Sequence, residues 1–131
     1  MAASALDTAT KLFEHIQAKN VEGVGALYAD DVEVWHNFDD AIQTKAENLK
    51  TLEGLTKAVH RITYHVIERH DLGGRIVQRH NLECRTADGN TFVIPACIFI
   101  TVADGRITRI DEYLDSAQAN ALRAATGRPR L

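Results

Sequence analysis

Three side chains in this sequence could transfer protons: His36, His80 and Glu112. Each lies in a stretch in which apolar and polar residues alternate, a pattern typical of a β-strand with one buried face. An imidazole has a reference pKa near ~6.5, so small changes in its surroundings let it act as an acid or a base at neutral pH. A nearby carboxylate can tune that pKa. Two histidines with Glu112 therefore indicate a proton-transfer site.

Strand parity determines which of these side chains can meet, because alternate residues of a strand point to opposite faces of the sheet. All three candidates share parity with apolar neighbours, namely Val32 and Val34 for His36, Ile76 and Leu82 for His80, and Ile110 and Leu114 for Glu112. If the apolar face of the sheet meets helices, all three point into the interior. The alternative is that each histidine only donates its ring N–H to a backbone carbonyl or a carboxylate.

Four further side chains could bind a substrate: Trp35, Asn37, Arg79 and Tyr113. Trp35 could stack on a ligand, and Asn37 could hold a water molecule. By parity, Trp35, Asn37 and Arg79 point away from the face that carries the histidines, unless a β-bulge reverses a strand locally. Structural alternatives are a core or dimer position for the tryptophan, a turn for the asparagine and an outer-face salt bridge for the arginine. The sequence leaves both interpretations open.

No pattern in the sequence is typical of a metal site or a nucleotide site. The other four histidines are scattered without a two-histidine, one-carboxylate spacing, and Cys84 and Cys97 have no neighbouring metal ligands. Two reduced, buried thiols are expected. No G-x-S-x-G stretch, glycine-rich phosphate loop or dinucleotide fingerprint occurs, which excludes nucleophilic serine chemistry and nucleotide cofactors. Any reaction is therefore predicted to use no cofactor and no metal.

The length of 131 residues fits one domain with a core large enough to hold one cavity. Hydrophobic residues make up 45% of the chain and charged residues 25%, and the net charge of -3 gives no electrostatic reason to bind nucleic acid. No apolar run approaches the ~20 residues that cross a bilayer. Residues 1–16 also lack the charged and apolar regions of a signal peptide. We expect a cytoplasmic protein with no membrane or nucleic-acid partner.

The elements that would position these side chains begin with helices. Apolar residues at helical spacing predict three of them, over residues 8–19, 21–29 and 44–60. Two glycines loosen the second helix, and Asn20 could cap its start. Between the second and third helices, the stretch DDVEVWHN at 30–37 alternates and is predicted to be a strand.

After residue 60 the apolar period changes to two and predicts four strands, near residues 61–71, 75–86, 91–102 and 106–114. The loops between them contain LGG, ADGN and ADGR. Asp-Gly between alternating runs is the strongest short-range hairpin signal, because both central residues must tolerate positive φ. DSAQANALRAA then closes the chain with a helical turn capped by Asp115 or Ser116. The predicted fold is α+β, with a cone-shaped, curved antiparallel sheet wrapped around three N-terminal helices.

The order of elements and the strings GALYADDVEVWHN and VADGRITRIDEYLD resemble the nuclear transport factor 2 superfamily, in its branch of SnoaL-like cyclases, ketosteroid isomerases and limonene-type epoxide hydrolases. The resemblance covers nearly the whole chain and identifies residues 1–131 as a single SnoaL-like domain. It implies a conical pocket lined by the concave face of the sheet, commonly in a homodimer. Because this scaffold carries enzymes, binding modules and transport adaptors, it does not imply one reaction.

For the ketosteroid isomerases, the match of ALYADD places His36 at the position of the aspartate base. The two oxyanion donors of that family are missing, since its tyrosine falls on Leu12 and its protonated aspartate falls on or beside Cys97. The resemblance therefore implies proton transfer by His36 without the oxyanion donors that steroid isomerisation uses.

For the epoxide hydrolases, the tyrosine and asparagine that hold water fall on Trp35 and Asn37, and the arginine falls on Arg79. Asn81 replaces an aspartate, and Glu112 falls at the position of the base. The ending IDEYLDS also looks like cyclase-type members, in which acidic residues on the last strand face the cavity. The resemblance thus implies that about half of the residues of an epoxide-hydrolase site are retained.

Together these observations predict a cofactor-independent isomerase, cyclase or hydrolase that acts on a small apolar carbonyl, epoxide or polyketide-like molecule. His36 would be the base or acid, and the other two candidates would tune it. A non-catalytic module that binds an apolar metabolite, or only dimerises, could use the same pocket residues and stays open. A homodimer through the sheet is expected, because Val77, Val93 and Phe99 leave an apolar outer face.

Overall fold

The computed structural model describes residues 4–131 and contains an open, six-stranded mixed sheet with four α-helices. The helices are α1 (Ala5–Gln17), α2 (Val21–Leu27), α3 (Lys45–Ala58) and α4 (Ser116–Ala125). The strands are β1 (Tyr28–His36), β2 (Ile42–Gln43), β3 (Arg61–Asp71), β4 (Arg75–Arg85), β5 (Thr91–Ala103) and β6 (Arg106–Leu114). The α+β class, the three N-terminal helices and the four-stranded meander predicted from the sequence are confirmed.

One strand pairing differs from the prediction of an antiparallel sheet. The strand order is β2-β1-β6-β5-β4-β3, and β3 to β6 form the antiparallel meander. β1, however, runs parallel to β6, with His36 opposite Glu112. The chain travels from β1 to β6 through α3 and the whole meander, so no tight turn forces the two strands to be antiparallel. The sequence did not predict β2, because a strand of two residues has no measurable period.

Two of the three meander loops have positive φ at both central residues. These residues are Asp104 (φ 53°) and Gly105 (φ 75°) between β5 and β6, and Gly73 (φ 89°) and Gly74 (φ 87°) between β3 and β4. Such turns match the right-handed twist of the strands that they join. In the longer β4–β5 loop only Gly89 has positive φ, at 89°. Positive φ at both residues of Asp-Gly is therefore confirmed for Asp104-Gly105, whereas in Asp88-Gly89 only the glycine has it.

Side-chain caps fix where the helices begin. Ser4, Asn20 and Asp115 accept hydrogen bonds from the first-turn backbone N–H groups of α1, α2 and α4. At the start of α3, Thr44 and Glu47 form a reciprocal capping box. The caps predicted at Asn20 and Asp115 are confirmed. Asp115 is therefore a helix-capping residue and is not available to a pocket on the sheet.

The helices cover the face of the sheet that carries the apolar residues. Buried side chains from five strands lie on this face, including Val32, Val34, Ile62, Ile76, Ile94, Ile98, Ile100 and Ile110. Register shifts in β1–β6, β3–β4 and β5–β6 mark bulges, which bend strands. His36, His80 and Glu112 share this face, as their parity predicts. Within residues 4–131, none of the helices has the length and hydropathy that spanning a membrane would need.

Gly54, inside α3, provides a test of local stability. A Cβ at this position would meet only Arg128 Nη2, at 3.6 Å, so Gly54→Ala adds helix propensity without a clash. We expect it to raise the free energy of unfolding by about 0.5–1 kcal/mol in urea titrations. Gly23→Ala is the contrasting variant, because its Cβ would stand 2.6 Å from atoms of Asn20 and His15 and should destabilise the protein. Equal stabilities of the two variants would contradict this account.

Candidate functional site

The parallel pairing of β1 with β6 brings His36 and Glu112 together. The His36 Nε2 atom lies 3.2 Å from Glu112 Oε1, and the histidine is 8% exposed. The ring of Phe38 stacks on the imidazole with 5.0 Å between centroids. Because the carboxylate accepts a hydrogen bond, it favours the tautomer that is protonated at Nε2. Within residues 4–131 no group hydrogen-bonds to Nδ1, which leaves that atom with a free lone pair.

A cavity of about 140 Å³ lies beside this pair. Its wall is mostly apolar and combines α3, the sheet and α4 through Leu52, Leu55, Leu82, Ile94, Ala96, Leu114 and Leu122. A smaller cavity of about 60 Å³ lies deeper, toward α1. The two cavities share five lining residues, namely His36, Asn48, Leu52, Tyr64 and Glu112. The histidine–glutamate pair therefore contacts both cavities.

Two tyrosine hydroxyls lie close to the charge of Glu112. Burial raises the pKa of Tyr28 and of Tyr64 above the usual value, and the negative charge of Glu112 raises both further. Both hydroxyls therefore stay protonated at neutral pH. They differ in their partners, because Tyr28 donates to Asn48 Oδ1 at 2.7 Å whereas the Tyr64 hydroxyl makes no hydrogen bond within the described chain. The Tyr64 hydroxyl is thus a free hydrogen-bond donor at the cavity wall.

Asn48 links Tyr28 to a chain of polar side chains that leads toward the surface. Its Nδ2 donates to Gln43 Oε1 at 2.9 Å, and Gln43 Nε2 donates to Thr51 Oγ1 at 3.1 Å. These bonds hold the Asn48 amide at the cavity wall and satisfy the Tyr28 hydroxyl. Tyr28 and Asn48 therefore contribute a fixed, structurally satisfied pair to the site.

His80 also points into the interior, but it contacts neither of these cavities. Its Nδ1 accepts from Gln78 Nε2 at 2.9 Å, and Gln78 Oε1 accepts from Arg69 Nε at 2.6 Å. Arg69 in turn donates to Thr10 on α1 at 2.7 Å. The separation from His36 follows from the strand order, because β5 and β6 lie between β4 and β1, and three strand spacings amount to about 14 Å.

The imidazole of His80 is held in its neutral form. The residue is 1% exposed and packs edge-on against Phe13 and Tyr64. Burial lowers its pKa and the charge of Arg69 lowers it too, while Glu112 acts in the opposite direction. Its Nε2 is buried without a partner among residues 4–131. His80 therefore contacts the cavity wall through Tyr64, and its part in proton transfer stays a prediction.

The four predicted substrate-binding residues lie outside the interior cavities. Trp35 and Tyr113 pack edge-on on the outer face, with 5.1 Å between ring centroids. Arg79 forms an exposed salt bridge to Glu68 at 3.0 Å. Asn37 exchanges two hydrogen bonds with the backbone of Leu114, at 3.0 and 3.3 Å, and so ties the end of β1 to β6. Substrate binding by these four residues stays a prediction.

Metal-ligand clusters and the state of the two thiols were compared with the predictions for residues 4–131. Across residues 4–131, no three side chains of histidine, cysteine, aspartate or glutamate cluster as metal ligands would. Cys84 and Cys97 are both free thiols. Burial raises the pKa of the Cys84 thiol to about 11, so it is unreactive at neutral pH.

Tyr64 and Asn48 line the cavity but were not predicted as site residues, although the position of each in its strand or helix indicates that it points inward. Tyr64 shares strand parity with the buried Ile62, and Asn48 lies one and two helical turns before Leu52 and Leu55 on the inner face of α3. A polar residue at an apolar position of an amphipathic element is informative, because burial without a partner is costly.

His80→Leu tests whether the buried neutral histidine sets the pH dependence of stability. Because the pKa of His80 is lowered in the folded state, the unfolded chain binds the proton first, and stability falls as the pH drops below about 6.5. Urea titrations at about pH 7.5 and about pH 5.5 should show a smaller loss of stability in His80→Leu than in the parent protein. His60→Ala, at an exposed position, is the control. An unchanged pH dependence in His80→Leu would contradict the assignment.

Comparison with solved structures gives relatives of the same architecture. IdmH, a proposed polyketide cyclase from Streptomyces antibioticus, superposes with a TM-score of 0.81 at 16% identity, covering 93% of this chain and 99% of IdmH. A proposed SnoaL-like polyketide cyclase from Shewanella denitrificans gives a TM-score of 0.79 at 11% identity, with coverage of 92% and 97%. An epoxide hydrolase from M. tuberculosis, of the LEH-like type, gives 0.76 at 16% identity, with coverage of 93% and 90%. At these identities the likeness establishes the fold.

Sequence comparison is more specific about the family. No curated protein matches the chain. A family model for the SnoaL-like domain matches residues 9–110, from the first buried turn of α1 to the middle of β6. This range includes His36, Tyr64 and His80. Because the match spans most of the sequence, the chain belongs to the SnoaL-like domain family.

Proposed function

We propose that the protein is a cofactor-independent isomerase, cyclase or hydrolase that moves a proton on, or adds water to, a small apolar carbonyl, epoxide or polyketide-like molecule. The observation that carries the proposal is the His36–Glu112 pair, joined at 3.2 Å on the wall of a mostly apolar cavity. A cavity of this kind excludes water and orients a small molecule against one base. The cyclases and the epoxide hydrolase with the same fold support this range of reactions.

In the proposed mechanism, His36 Nδ1 removes a proton from the substrate or from a water molecule. Glu112 accepts the hydrogen bond from Nε2–H, orients the ring and stabilises the imidazolium that forms. The substrate oxygen on which negative charge develops then accepts a hydrogen bond from the Tyr64 hydroxyl. This hydroxyl suits the role because it is protonated, has no other partner within residues 4–131 and lines both cavities.

We also propose that the protein forms a two-fold dimer through the outer face of the sheet. This face exposes apolar side chains, with Ile67 49%, Val93 43% and Tyr113 52% exposed, and Phe99 is half-buried beneath the Arg75 guanidinium. A dimer would remove this surface from water and leave the interior cavity on the opposite face accessible.

Conservative substitutions at the pair test the catalytic proposal. Binders would first be found by native mass spectrometry with 2-cyclohexenone, styrene oxide and limonene oxide, and turnover or deuterium uptake from D₂O would then be followed by NMR. We expect His36→Gln to lower the rate by about 10²–10⁴-fold and Tyr64→Phe by about 10²-fold. Glu112→Gln should also lower it, because an amide cannot stabilise the imidazolium.

The matched control for this experiment is His65→Gln. His65 forms a histidine–glutamate contact of the same length, 3.2 Å to Glu83, but is exposed and does not line the cavity. Its substitution should leave the rate unchanged. Full activity of His36→Gln would contradict catalysis by this pair and would favour a non-catalytic module that only binds apolar molecules.

Analytical ultracentrifugation tests the dimer. At micromolar concentration we expect a sedimenting mass of twice 14.5 kDa. Val93→Lys places a charge on the apolar outer face and should shift the protein toward the monomer. Glu53→Lys, which places a lysine at an exposed position on α3, should not. A parent protein that sediments at 14.5 kDa would contradict the proposal.

A further inference from the structure

The segment that follows α4 folds back along the interior cavity. Arg128 donates its backbone N–H to Arg123 O at 2.8 Å, and the Arg123 Nη1 donates to Pro129 O at 3.0 Å. The backbone N–H of Leu131 donates to Asn120 Oδ1 at 2.8 Å. These bonds hold the segment against α4, and Arg123, Arg128 and Leu131 line the cavity wall. Two guanidinium groups therefore border a cavity that is otherwise mostly apolar.

These two arginines have no acidic partner. In the described part of the chain, no carboxylate lies within 4.0 Å of either guanidinium, whereas Arg79 pairs with Glu68 and Arg109 with Asp111. The acidic residue that shares the cavity, Glu112, is already paired with His36.

Holding these two positive charges side by side has an electrostatic cost. Burial lowers the pKa of Arg123, and the charge of Arg128 lowers it further. Partly buried like charges are unfavourable unless an anion neutralises them. The cavity wall therefore carries two cations that no carboxylate within residues 4–131 neutralises.

The arginines and the His36–Glu112 pair lie toward different ends of the cavity. Glu112 is opposite Ile98 on β5, whereas Leu82, another wall residue, is opposite Ile94. Four residues along a strand span about 13 Å. Arg128 belongs to the Leu82 end, because its Nη2 lies 3.6 Å from the Cβ position of Gly54, in the C-terminal half of α3, and the chain just after α3 bonds to β4 through His60 N–H and Arg85 O. The cavity is thus cationic at one end and carries the proposed base at the other.

We propose that Arg123 and Arg128 bind the carboxylate of the substrate, so that the substrate class is a small apolar acid. This inference rests on the proposed function of the His36–Glu112 pair. The planar guanidinium groups bind carboxylates through paired N–H donors, while the leucine and isoleucine side chains of the wall contact the apolar body. Because Glu112 repels an anion, the acid enters in one orientation only, with its far end at His36.

Matched pairs of acids and amides test this proposal by isothermal titration calorimetry. The probes are octanoate with octanamide and 5-phenylpentanoate with 5-phenylpentanamide, which differ in charge but little in shape. We expect at least one carboxylate to bind the parent protein 10-fold or more tightly than its amide. The preference should decrease as salt is raised. A panel in which neither carboxylate binds more tightly than its amide would overturn the proposal.

Variants assign the preference to the two arginines. The double variant Arg123→Gln with Arg128→Gln should bind acid and amide equally, and the charge-conserving double variant with lysine should keep part of the preference. Arg130→Gln is the matched control, since Arg130 is exposed on the same segment and does not line the cavity. If the glutamine double variant fails to fold, Arg128→Gln alone is used, because the Arg128 side chain makes no hydrogen bond within residues 4–131. A retained acid preference in these glutamine variants would overturn the assignment.

Binding and catalysis are measured separately, so the two proposals can fail independently. His36→Gln should lose turnover and keep the preference for the carboxylate. A preference for the carboxylate over its amide without any turnover would support the anion site and contradict the proposed enzymatic activity. Turnover by a parent protein that binds acid and amide equally would support the catalytic pair and contradict the anion site.

Discussion

The parallel pairing of β1 with β6 is the interaction on which the candidate site depends. It sets His36 directly opposite Glu112, two residues that are 76 positions apart in the chain. The Asn37 amide then bonds to both backbone groups of Leu114 and so continues the pairing beyond the end of β1. A shift of one residue in this register would turn every side chain of β1 to the other face of the sheet. The Asn37 contact is therefore a structural support for the pair rather than part of the cavity wall.

The polar groups of the interior fall into two classes according to their partners. Tyr28, Asn48 and Gln78 have their side chains bonded within the fold, where an unmet donor or acceptor would cost stability. The Tyr64 hydroxyl and the His36 Nδ1 have no such partner within residues 4–131, and both side chains line the cavity. Groups of the first class fix the geometry, and groups of the second class remain free to interact with a bound molecule. His80 combines both features, since its Nδ1 is bonded and its Nε2 is buried without a partner.

Charge is distributed differently on the two faces of the sheet. On the outer face three arginines are paired with carboxylates, namely Arg75 with Asp111, Arg79 with Glu68, and Arg109 with Asp111 and Glu33. Under the helices, the imidazole of His36 is paired with a carboxylate, but Arg123 and Arg128 are not. An apolar wall lies between the two polar groups. The cavity therefore differs in electrostatic character from end to end, which an elongated molecule with one charged end would match.

The sequence by itself determined the elements and the face on which each strand residue lies. Periods of 3.6 and 2 and the turn residues are local properties, so the helices, the meander and the inward parity of His36, His80 and Glu112 could be predicted. The tertiary structure alone decided that β1 runs parallel to β6, that His36 meets Glu112 and that β5 separates both from His80. It also decided that the Arg123 and Arg128 side chains lie against the cavity. These features depend on pairing and packing between residues distant in the chain, for which a single sequence carries no periodic signal.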